Sequence, residues 1–379
     1  MEEWPMEIWN EGKIKDFVDV KGGKRLPKGK KLAGFPTAHP YIRIRDIDKS
    51  KVLQLTADYE YVDDETQKEI SRYIVSKGDI LISVVGTIGL VGIVGDTLDG
   101  ANQTENCDKL TNFRNIDRDF LYYYLVSHLG QGEIAKGTVG AVQPKLPLKN
   151  IQDFTVRFPS LQTQEKIASV LTALDDKIEK NTEVNENLLQ QAQAIYCDMF
   201  ITNTSPSWQL GHLADLITVR YGKDHKKLAD GAYPVYGSGG IMRYVERPLY
   251  DKESVLIPRK GTLNNVMYVN EPFWSVDTMF FTEMKMPNVA KFVFHFAKSK
   301  DLASLNSGSA VPSMTTDILN AMELSIPDAD TFAKFEGIVA PMYQTIQQNT
   351  QESNKLSELR DSLLPRLMSG ELDVSDIDF

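Results

Sequence analysis

The sequence predicts an α/β (α+β) protein with two mixed domains in a tandem pseudo-twofold repeat, separated by two long helices packed as an antiparallel coiled coil. Three observations predict this fold: the chain repeats once, each copy holds short β-rich runs among turn residues, and each copy ends in an apolar heptad pattern. The 379 residues, 42% hydrophobic and 25% charged, suffice for two cores and exclude a mainly disordered protein.

The repeat covers both ends of each half of the chain and differs in the middle. Residues 140–200 align without a gap to residues 308–368 at a constant offset of 168. The offset is 199 at the beginning of each copy and 175 around a central glycine-rich stretch. We therefore expect the two halves to share a fold and to differ mainly in inserted loops.

The glycine-rich stretch at residues 80–95 carries no charge and could be taken for a membrane span. Its 16 residues are short for a helix that crosses a bilayer, and its frequent glycines weaken a helix. The matching stretch of the second copy contains Arg259 and Lys260, which do not belong in a bilayer core. We expect two buried strands that meet at a turn near Gly86, and no membrane partner.

Each copy contains one amphipathic helix candidate, at residues 120–129 and 291–300, and then a long heptad pattern. The first heptad region has no Pro or Gly between Pro159 and Phe200. Apolar residues recur there in two rows, and both copies place an Asn in the central heptad. The predicted helix seam consists of Ile167, Leu171, Leu174, Ile178, Asn181 and Leu188 in the first helix, and of Ile346, Asn349, Leu356 and Leu363 in the second.

A pseudo-twofold relation would make the helices antiparallel and would place Asn181 opposite Asn349. An Asn on a seam costs stability but fixes register. Gly337 and Pro341 predict a kink or a broken first segment in the second helix. About 40 helical residues extend over roughly 60 Å, so the pair is expected to act as a spacer. Two independent surface helices are the alternative interpretation.

These patterns divide the chain into five expected parts: a first domain at 1–158, a first helix at 159–201, a second domain at 202–327, a second helix at 328–370 and an acidic tail at 371–379. The net charge is −10, yet residues 160–200 and 328–379 carry the whole acidic excess. The two mixed domains carry 35 basic and 35 acidic residues, so they can approach a polyanion.

Cysteine and histidine usage excludes several classes of site. Cys107 and Cys197 are far apart and without CxxC spacing, which argues against a disulfide framework or a zinc ribbon and is typical of the reducing cytoplasm. The five histidines show no HExxH spacing. The first residues show no secretory signal. We expect a cytoplasmic protein without metal or cofactor.

Several motifs resemble those of the specificity (S) subunits of type I restriction-modification systems. The helix entry FPSLQTQEKI at 158–167 and the ending LRDSLLPRLMSGEL at 359–372 are the most specific of them. The domain openings KIKDFVDVKGG from Lys13 and HLADLITVRYGK from His212 resemble those of target recognition domains. The second helix entry departs from the pattern, because Pro327 is followed by DADTF.

The resemblance implies a non-catalytic subunit that recognises DNA sequence. Each target recognition domain would read one half of a bipartite target on double-stranded DNA. The helices would separate the two domains and dock two DNA adenine methyltransferase subunits, and restriction/translocase subunits would join the complex.

A cluster of cations after the first domain's opening suggests contacts with phosphates, and a similar cluster follows the second opening. Glycines and Pro27 make the first segment a loop, and a solvated charged loop is the alternative interpretation. The candidates in the first domain are Lys21, Lys24, Arg25, Lys28, Lys30 and Lys31, and those in the second are Arg220, Lys223, Lys226 and Lys227.

Base edges are read by forked or bidentate groups such as those of Arg, Asn and Gln. Each candidate taken singly is more often structural or phosphate-facing than base-reading. The sequence offers Arg43, Arg45, Asn102 and Gln103 in the first domain, and Ser238, Arg243, Arg259, Lys260 and Asn264 in the second.

The sequence offers two alternatives to DNA recognition. Residues 270–273 (NEPF) resemble the Asn-Pro-Pro-Phe motif of adenine methyltransferases, but the middle Pro is absent and no glycine-rich cofactor loop precedes them. A coiled-coil scaffold that joins two protein partners without DNA binding is the alternative from a different class. The target sequence and its gap length cannot be deduced from one chain.

Overall fold

A computed structural model describes residues 8–47, 50–305 and 313–374. The chain folds into two compact units, one formed by Met1–Asn181 with Gln351–Phe379 and the other by Thr182–Thr350. The boundaries between the units therefore fall inside the two long helices. Each unit combines one mixed domain with one part of each helix.

The strands of the first domain are β1 (Asn10–Lys13), β2 (Asp19–Gly22), β3 (Pro40–Ile42), β4 (Val52–Leu53), β5 (Glu60–Tyr61), β6 (Ile80–Ser83), β7 (Val91–Val94), β8 (Asn102–Gln103), β9 (Cys107–Thr111) and β10 (Thr155–Phe158). Its α-helices are α1 (Ile14–Phe17), α2 (Asp64–Ile70), α3 (Arg118–Val126), α4 (His128–Gly137) and α5 (Leu148–Gln152). The first long helix, α6, is Leu161–Cys197, and a π-helical turn, Asp198–Thr202, extends it.

The strands of the second domain are β11 (Gln209–His212), β12 (Ile217–Tyr221), β13 (Tyr233–Gly237), β14 (Gly240–Val245), β15 (Ser254–Pro258), β16 (Met267–Val269), β17 (Trp274–Ser275), β18 (Met279–Met284) and β19 (Glu323–Ile326). Its α-helices are α7 (Leu213–Leu216), α8 (Ala290–Lys298) and α9 (Thr316–Asn320). The second long helix, α10, is Ala329–Ser369.

The two domains share most of their sheet topology, which confirms the repeat in three dimensions, and the first domain adds strand β4 at the edge of its main sheet. The main sheet has the order β2-β9-β6-β7-β4 in the first domain and β12-β18-β15-β16 in the second. The small sheets β5-β3-β8 and β14-β13-β17 also correspond, since β3 pairs in parallel with β8 as β13 does with β17. The first and last strands of each domain form the antiparallel pairs β1-β10 and β11-β19.

The glycine-rich stretch forms the antiparallel strands β6 and β7, as the sequence predicts. All residues of both strands are buried. The turn between them contains Gly86 and Gly89, whose φ values of 74° and 89° lie in the left-handed region that glycine adopts without strain. No helix among the described residues combines the length and apolarity that crossing a membrane requires.

The predicted amphipathic helices correspond to α3 and α8, each covering one face of the main sheet of its domain. In the first domain, Phe120 and Leu121 pack with Ile80 and Leu110 in one core. The first helix ends at Val126, earlier than predicted, because the hydroxyl of Ser127 caps the next helix. In the second domain, aromatic residues of α8 pack with the ends of both long helices.

The predicted seam residues are all buried or half-buried. In the first unit, Asp175 of α6 pairs with Arg360 of α10, and farther along α6, Asn181 donates to Glu352. Residue numbers thus rise along one helix as they fall along the other, so the two segments are antiparallel.

The second unit shows the same antiparallel direction. Asn185 accepts a hydrogen bond from Asn349 at 2.9 Å, and Tyr196 lies against Phe335 with 6.3 Å between ring centroids. The seam amides therefore form polar contacts inside their own units. The pairing of Asn181 with Asn349 stays a prediction.

The predicted break in the second helix is absent, since α10 is continuous through Pro341. The alternative, a kink at this position, stays a prediction. Proline inside a helix costs about 3 kcal/mol, because it removes a hydrogen bond and its ring collides with the carbonyl four residues earlier. Here that earlier residue is Gly337. The buried side chains of Val339 and Tyr343 hold both flanks of Pro341 in the core and offset the cost.

The predicted acidic tail is packed where it is described. Leu372 lies against the core of the first unit, and Val374 is 2% exposed within that core. Residues 375–379 lie outside the described residues.

In each unit, one polar side chain anchors the domain to a long helix. It lies on α3 in the first unit and on α8 in the second. Helices α3 and α8 correspond at an offset of 172, which matches Tyr123 with His295. The Tyr123 hydroxyl donates to Asp175 of α6 at 2.6 Å, and His295 Nε2 lies 2.9 Å from the Tyr343 hydroxyl of α10. Asp175 and Tyr343 also correspond, at the offset of 168.

Removal of the Arg360 guanidinium should destabilise the first unit. Asp175 is 15% exposed in its side chain and would lose its cationic partner at 2.7 Å. Arg360→Ala should lower the free energy of unfolding by about 2 kcal/mol, measured by chemical denaturation. The matched control is Arg366→Ala on the same helix, whose partner Glu371 is well exposed, with an expected loss of about 0.5 kcal/mol. Equal losses of stability in the two variants would show that the Arg360–Asp175 pair does not stabilise the first unit.

The stability of the second unit should fall in mild acid because of His295. Burial, followed by the charge of Lys298, lowers the pKa of His295 to about 4, whereas unfolded His titrates near 6.5. The neutral ring stabilises the fold fully above pH 6.5, and this stabilisation is lost as the pH falls from 6.5 to 4. Between pH 7 and pH 5, wild type should lose about 2 kcal/mol more than His295→Gln in chemical denaturation. Parallel losses would show that His295 does not carry the effect.

Candidate nucleic-acid interface

Four loops meet at one edge of the first domain. Backbone hydrogen bonds join the loops that follow β2, β3 and β6 to the loop that precedes β9. The bonds run from Lys24 N to Gln103 O (3.1 Å), from Thr104 N to Ile42 O (3.0 Å) and from Val84 N to Asn106 O (2.8 Å). We call residues 23–31, 43–46, 84–88 and 104–106 the first loop edge.

The corresponding loops meet in the second domain. The bonds run from Lys223 N to Ser275 O (2.8 Å), from Val276 N to Tyr236 O (3.1 Å) and from Arg259 N to Thr278 O (2.8 Å). The registers confirm the correspondence, because Tyr236 pairs with Ser275 as Ile42 pairs with Gln103. We call residues 222–227, 237–240, 259–262 and 276–278 the second loop edge.

Most of the predicted phosphate-binding cations lie on or beside these edges and are exposed. Three are already paired with acids: Arg25 with Glu105 at 2.6 Å, Lys30 with Glu65 at 2.5 Å and Arg220 with Glu283 at 3.0 Å. The others have no acidic partner within 4.0 Å among the described residues, so their charge is available to a polyanion: Lys21, Lys24, Lys28, Lys31, Lys223, Lys226 and Lys227.

The two arginines that follow β3 differ in availability. Arg43 is half-buried and pairs with Glu60. Arg45 is 56% exposed in its side chain. It donates to the carbonyl of Asp58 at 3.1 Å and lies 3.5 Å from Asp46 and 3.7 Å from Glu60. Burial raises the pKa of the neighbouring Asp46 to about 6, although Arg45 opposes the shift. Because its side chain is more exposed than that of Arg43, Arg45 is the better candidate for contact with a base.

The prediction that Asn102 and Gln103 read bases is wrong, because both residues lie inside the domain. Both are 0% exposed, because β8 pairs with β3 inside the domain. The Gln103 amide donates to the carbonyl of Cys107 at 3.0 Å. Neither side chain reaches the surface, so neither presents a group to DNA.

The side chain of Asn264 is exposed, but both of its polar atoms already have partners within the domain. Its amide nitrogen donates to Asp301 at 3.0 Å, and its amide oxygen accepts from the backbone of Ala303 at 2.9 Å. Both polar atoms hold the loop that follows α8. Arg243 is half-buried and pairs with Asp230 at 2.7 Å. Arg220 is exposed and pairs with Glu283 at 3.0 Å.

Arg259, Lys260 and Ser238 lie together on the second loop edge. The Arg259 guanidinium lies over the ring of Tyr221, 5.4 Å from its centroid, and Tyr221 is 52% exposed. Gly261 has φ 86°, and a Cβ there would lie 2.6 Å from the Ser238 hydroxyl oxygen. The absence of a side chain at residue 261 thus lets these two loops meet.

Two exposed apolar segments are not predicted by the sequence patterns. The hairpin of β13 and β14 exposes Ile241, Met242 and Tyr244, and the loop at 139–145 exposes 93% of Val142. The only sequence signal was the presence of apolar residues beside glycines, in GSGGIM and in VGAV.

The described residues contain no group of three or more His, Cys, Asp or Glu side chains that could hold a metal ion.

The methyltransferase-like NEPF segment is a structural turn, since Phe273 is fully buried and Glu271 accepts from the Tyr236 hydroxyl at 3.2 Å. Burial raises the pKa of Asp108 to about 6, with Lys145 opposing the shift.

A family model described as "Type I restriction modification DNA specificity domain" matches residues 6–190 and 206–358. The chain belongs to this family. It contains two copies of the specificity domain, and each copy carries one of the two loop edges.

Individual relatives agree with this assignment of two specificity domains. The chain is 23% identical to the MjaIX specificity subunit of Methanocaldococcus jannaschii, over 97% of this chain and 94% of the relative. It is 21% identical to the HindI specificity subunit of Haemophilus influenzae, over 79% and 87% of the two chains. The crystal structure of the type I S subunit from M. genitalium has the same fold, with a TM-score of 0.59, 18% identity and coverage of 97% and 98%.

Neutralising unpaired cations of the first specificity domain should weaken DNA binding without changing the preferred sequence. Each phosphate contact contributes about 0.9 to the salt dependence of binding, so the slope should fall by up to about 3 in the variant Lys24→Gln, Lys28→Gln, Lys31→Gln. Binding to duplex DNA across a salt series, with partner subunits present, measures this.

The control is Lys30→Gln, because Lys30 is already paired with Glu65. Its slope should change by less than about 1. A changed sequence preference in the triple variant would show that these lysines contact bases instead of phosphates.

Proposed function

We propose that this chain is the DNA sequence-recognition subunit of a type I restriction-modification complex, and that each specificity domain reads one half of a bipartite target. The observation that carries the proposal is the duplication of the loop edge. The same backbone hydrogen bonds build both edges, yet the side chains presented on them differ. Equal scaffolds with unlike surfaces suit the reading of two unlike sequences.

The proposed partners follow from the family. They are double-stranded DNA, two DNA adenine methyltransferase subunits and restriction/translocase subunits, which would act together in the cytoplasm. The proposed role of this chain is non-catalytic, and methylation and cleavage would be carried out by the partners. Exposed lysines on both loop edges support the DNA contact, because phosphate neutralisation supplies much of the affinity of any DNA-binding protein.

We further propose the five-part organisation predicted above, with 159–201 and 328–370 acting as the spacer between the recognition domains. Helices α6 and α10 each continue from one unit into the other. The length of these helices would then determine the number of unspecified base pairs between the half-sites.

The experiment is to produce the chain with a methyltransferase partner and to map the methylated adenines across a genome. We expect a bipartite site in which only two short segments are specified. Inserting seven residues after Asn181 and seven after Thr350 keeps the seam in phase and adds about 10 Å of helix, or about three base pairs. Both half-sequences should remain the same while the gap lengthens.

Two outcomes would contradict the proposal. An undivided target sequence would show that the domains do not read separate half-sites. An unchanged gap in the seven-residue variant would show that the helices do not set the spacing. A five-residue insertion at the same positions serves as the control, because it rotates the apolar face by about 140° and should impair assembly.

A further inference from the structure

The hairpin of β13 and β14 projects an apolar surface from the second loop edge. Strand β14 is the edge strand of its three-stranded sheet, paired only with β13 within that sheet. Ile241 is 49% exposed, Met242 60% and Tyr244 46%. Residues of this kind are normally buried, so three of them in four positions form a patch that requires a partner.

A β-bulge determines how these side chains are presented. Val235 pairs with Arg243, whereas Tyr236 pairs with Ile241, so Met242 is the extra residue of β14. The Met242 sulfur lies over Gly237, and a Cβ added at Gly237 would be only 2.5 Å from this sulfur. Bulges bend a strand and re-aim its side chains. Here the bulge brings Ile241 and Met242 to the end of the hairpin that adjoins the loop edge.

The surroundings of the patch are suited to a polyanion. The exposed cations Lys223, Lys226 and Lys227 follow β12 on the same loop edge. Trp274 fixes their loop by donating its ring N–H to the carbonyl of Lys223 at 2.9 Å. The turn of the hairpin is tied to the edge through Asn265, which donates to the carbonyl of Ser238 at 2.8 Å. An apolar patch beside cations matches a DNA groove, in which apolar base atoms lie between phosphates.

We propose that this hairpin enters the major groove of the half-site read by the second domain, where Ile241 and Met242 contact the methyl groups of thymine. A two-stranded β-ribbon fits the major groove, and apolar side chains distinguish thymine by its methyl group. The inference rests on the proposed function. It adds the reading element, the groove and the base.

The first domain presents different chemistry at the corresponding position. The residues that follow β3 form a 3₁₀ turn, Ile44–Asp46, with the half-exposed Arg45 on it, instead of an apolar hairpin. Loss of Ile241 and Met242 should therefore affect only the half-site read by the second domain.

The experiment uses the complex of the full chain with its methyltransferase partner and a duplex that contains the mapped target. A second duplex has uracil in place of every thymine of the half-site read by the second domain, which removes only the methyl groups. We expect wild type to bind the uracil duplex about tenfold more weakly. The variant Ile241→Ala, Met242→Ala should bind the native duplex about tenfold more weakly and should not distinguish uracil from thymine.

Leu210→Ala is the matched control, because Leu210 is 74% exposed on β11 of the same domain but outside the hairpin. It should bind both duplexes like wild type. The same substitutions of thymine in the other half-site should affect wild type and the hairpin variant equally.

The outcomes separate this inference from the proposed function. If wild type shows no sequence-dependent binding, the proposed function fails. If wild type binds its target but tolerates uracil, or if the half-site contains no A·T pair, the hairpin inference alone is overturned. If the hairpin variant binds DNA like wild type but no longer assembles with the methyltransferase, the patch is a protein-docking surface and the inference is also overturned.

Discussion

The packing of each domain onto its own segments of α6 and α10 is the constraint on which the rest of the structure depends. In the first unit, Ile167, Leu171 and Leu367 from the long helices are buried in the core of the domain. In the second unit, aromatic residues from both helices, such as Tyr196 and Phe335, do the same. The long helices are therefore part of each hydrophobic core, and a loop edge keeps its position because its sheet packs on α3 or α8, which packs on them.

Polar contacts refine this packing with different chemistry in the two units. Asp119 of α3 pairs with Lys51 at 2.6 Å, while its counterpart on α8, Lys291, pairs with Glu253 and Glu336. The sign of the charge is reversed at the same position of the fold. Since removal of one partner from such a pair costs more than replacement of both, each unit can retain only its own set of partners. The duplicated scaffold thus tolerates sequence divergence when partners change together.

The sequence predicted the parts of the fold that depend on periodicity. The repeat and the paired strands at 80–95 follow from patterns in the sequence, and the structure confirms both. The predicted seam residues are buried or half-buried, whereas the pairing of Asn181 with Asn349 stays a prediction. The candidate site is harder to predict, because a residue type that can read a base reveals nothing about whether its side chain is buried. Asn102 is buried through its pairing with a strand 60 residues earlier in the chain, and the exposed hairpin at Ile241 results from a bulge. Such features arise from long-range strand pairing and leave little local signal.

The boundaries between the two units, after Asn181 and after Thr350, have an evolutionary consequence. A gene recombination event at these two points would exchange a whole domain together with the helical segments that complete its core. The recombinant protein would keep two intact hydrophobic cores. Only the helical turns at the two junctions would have to pack together anew. New combinations of specificity domains could then arise in single genetic steps, without passing through poorly packed intermediates.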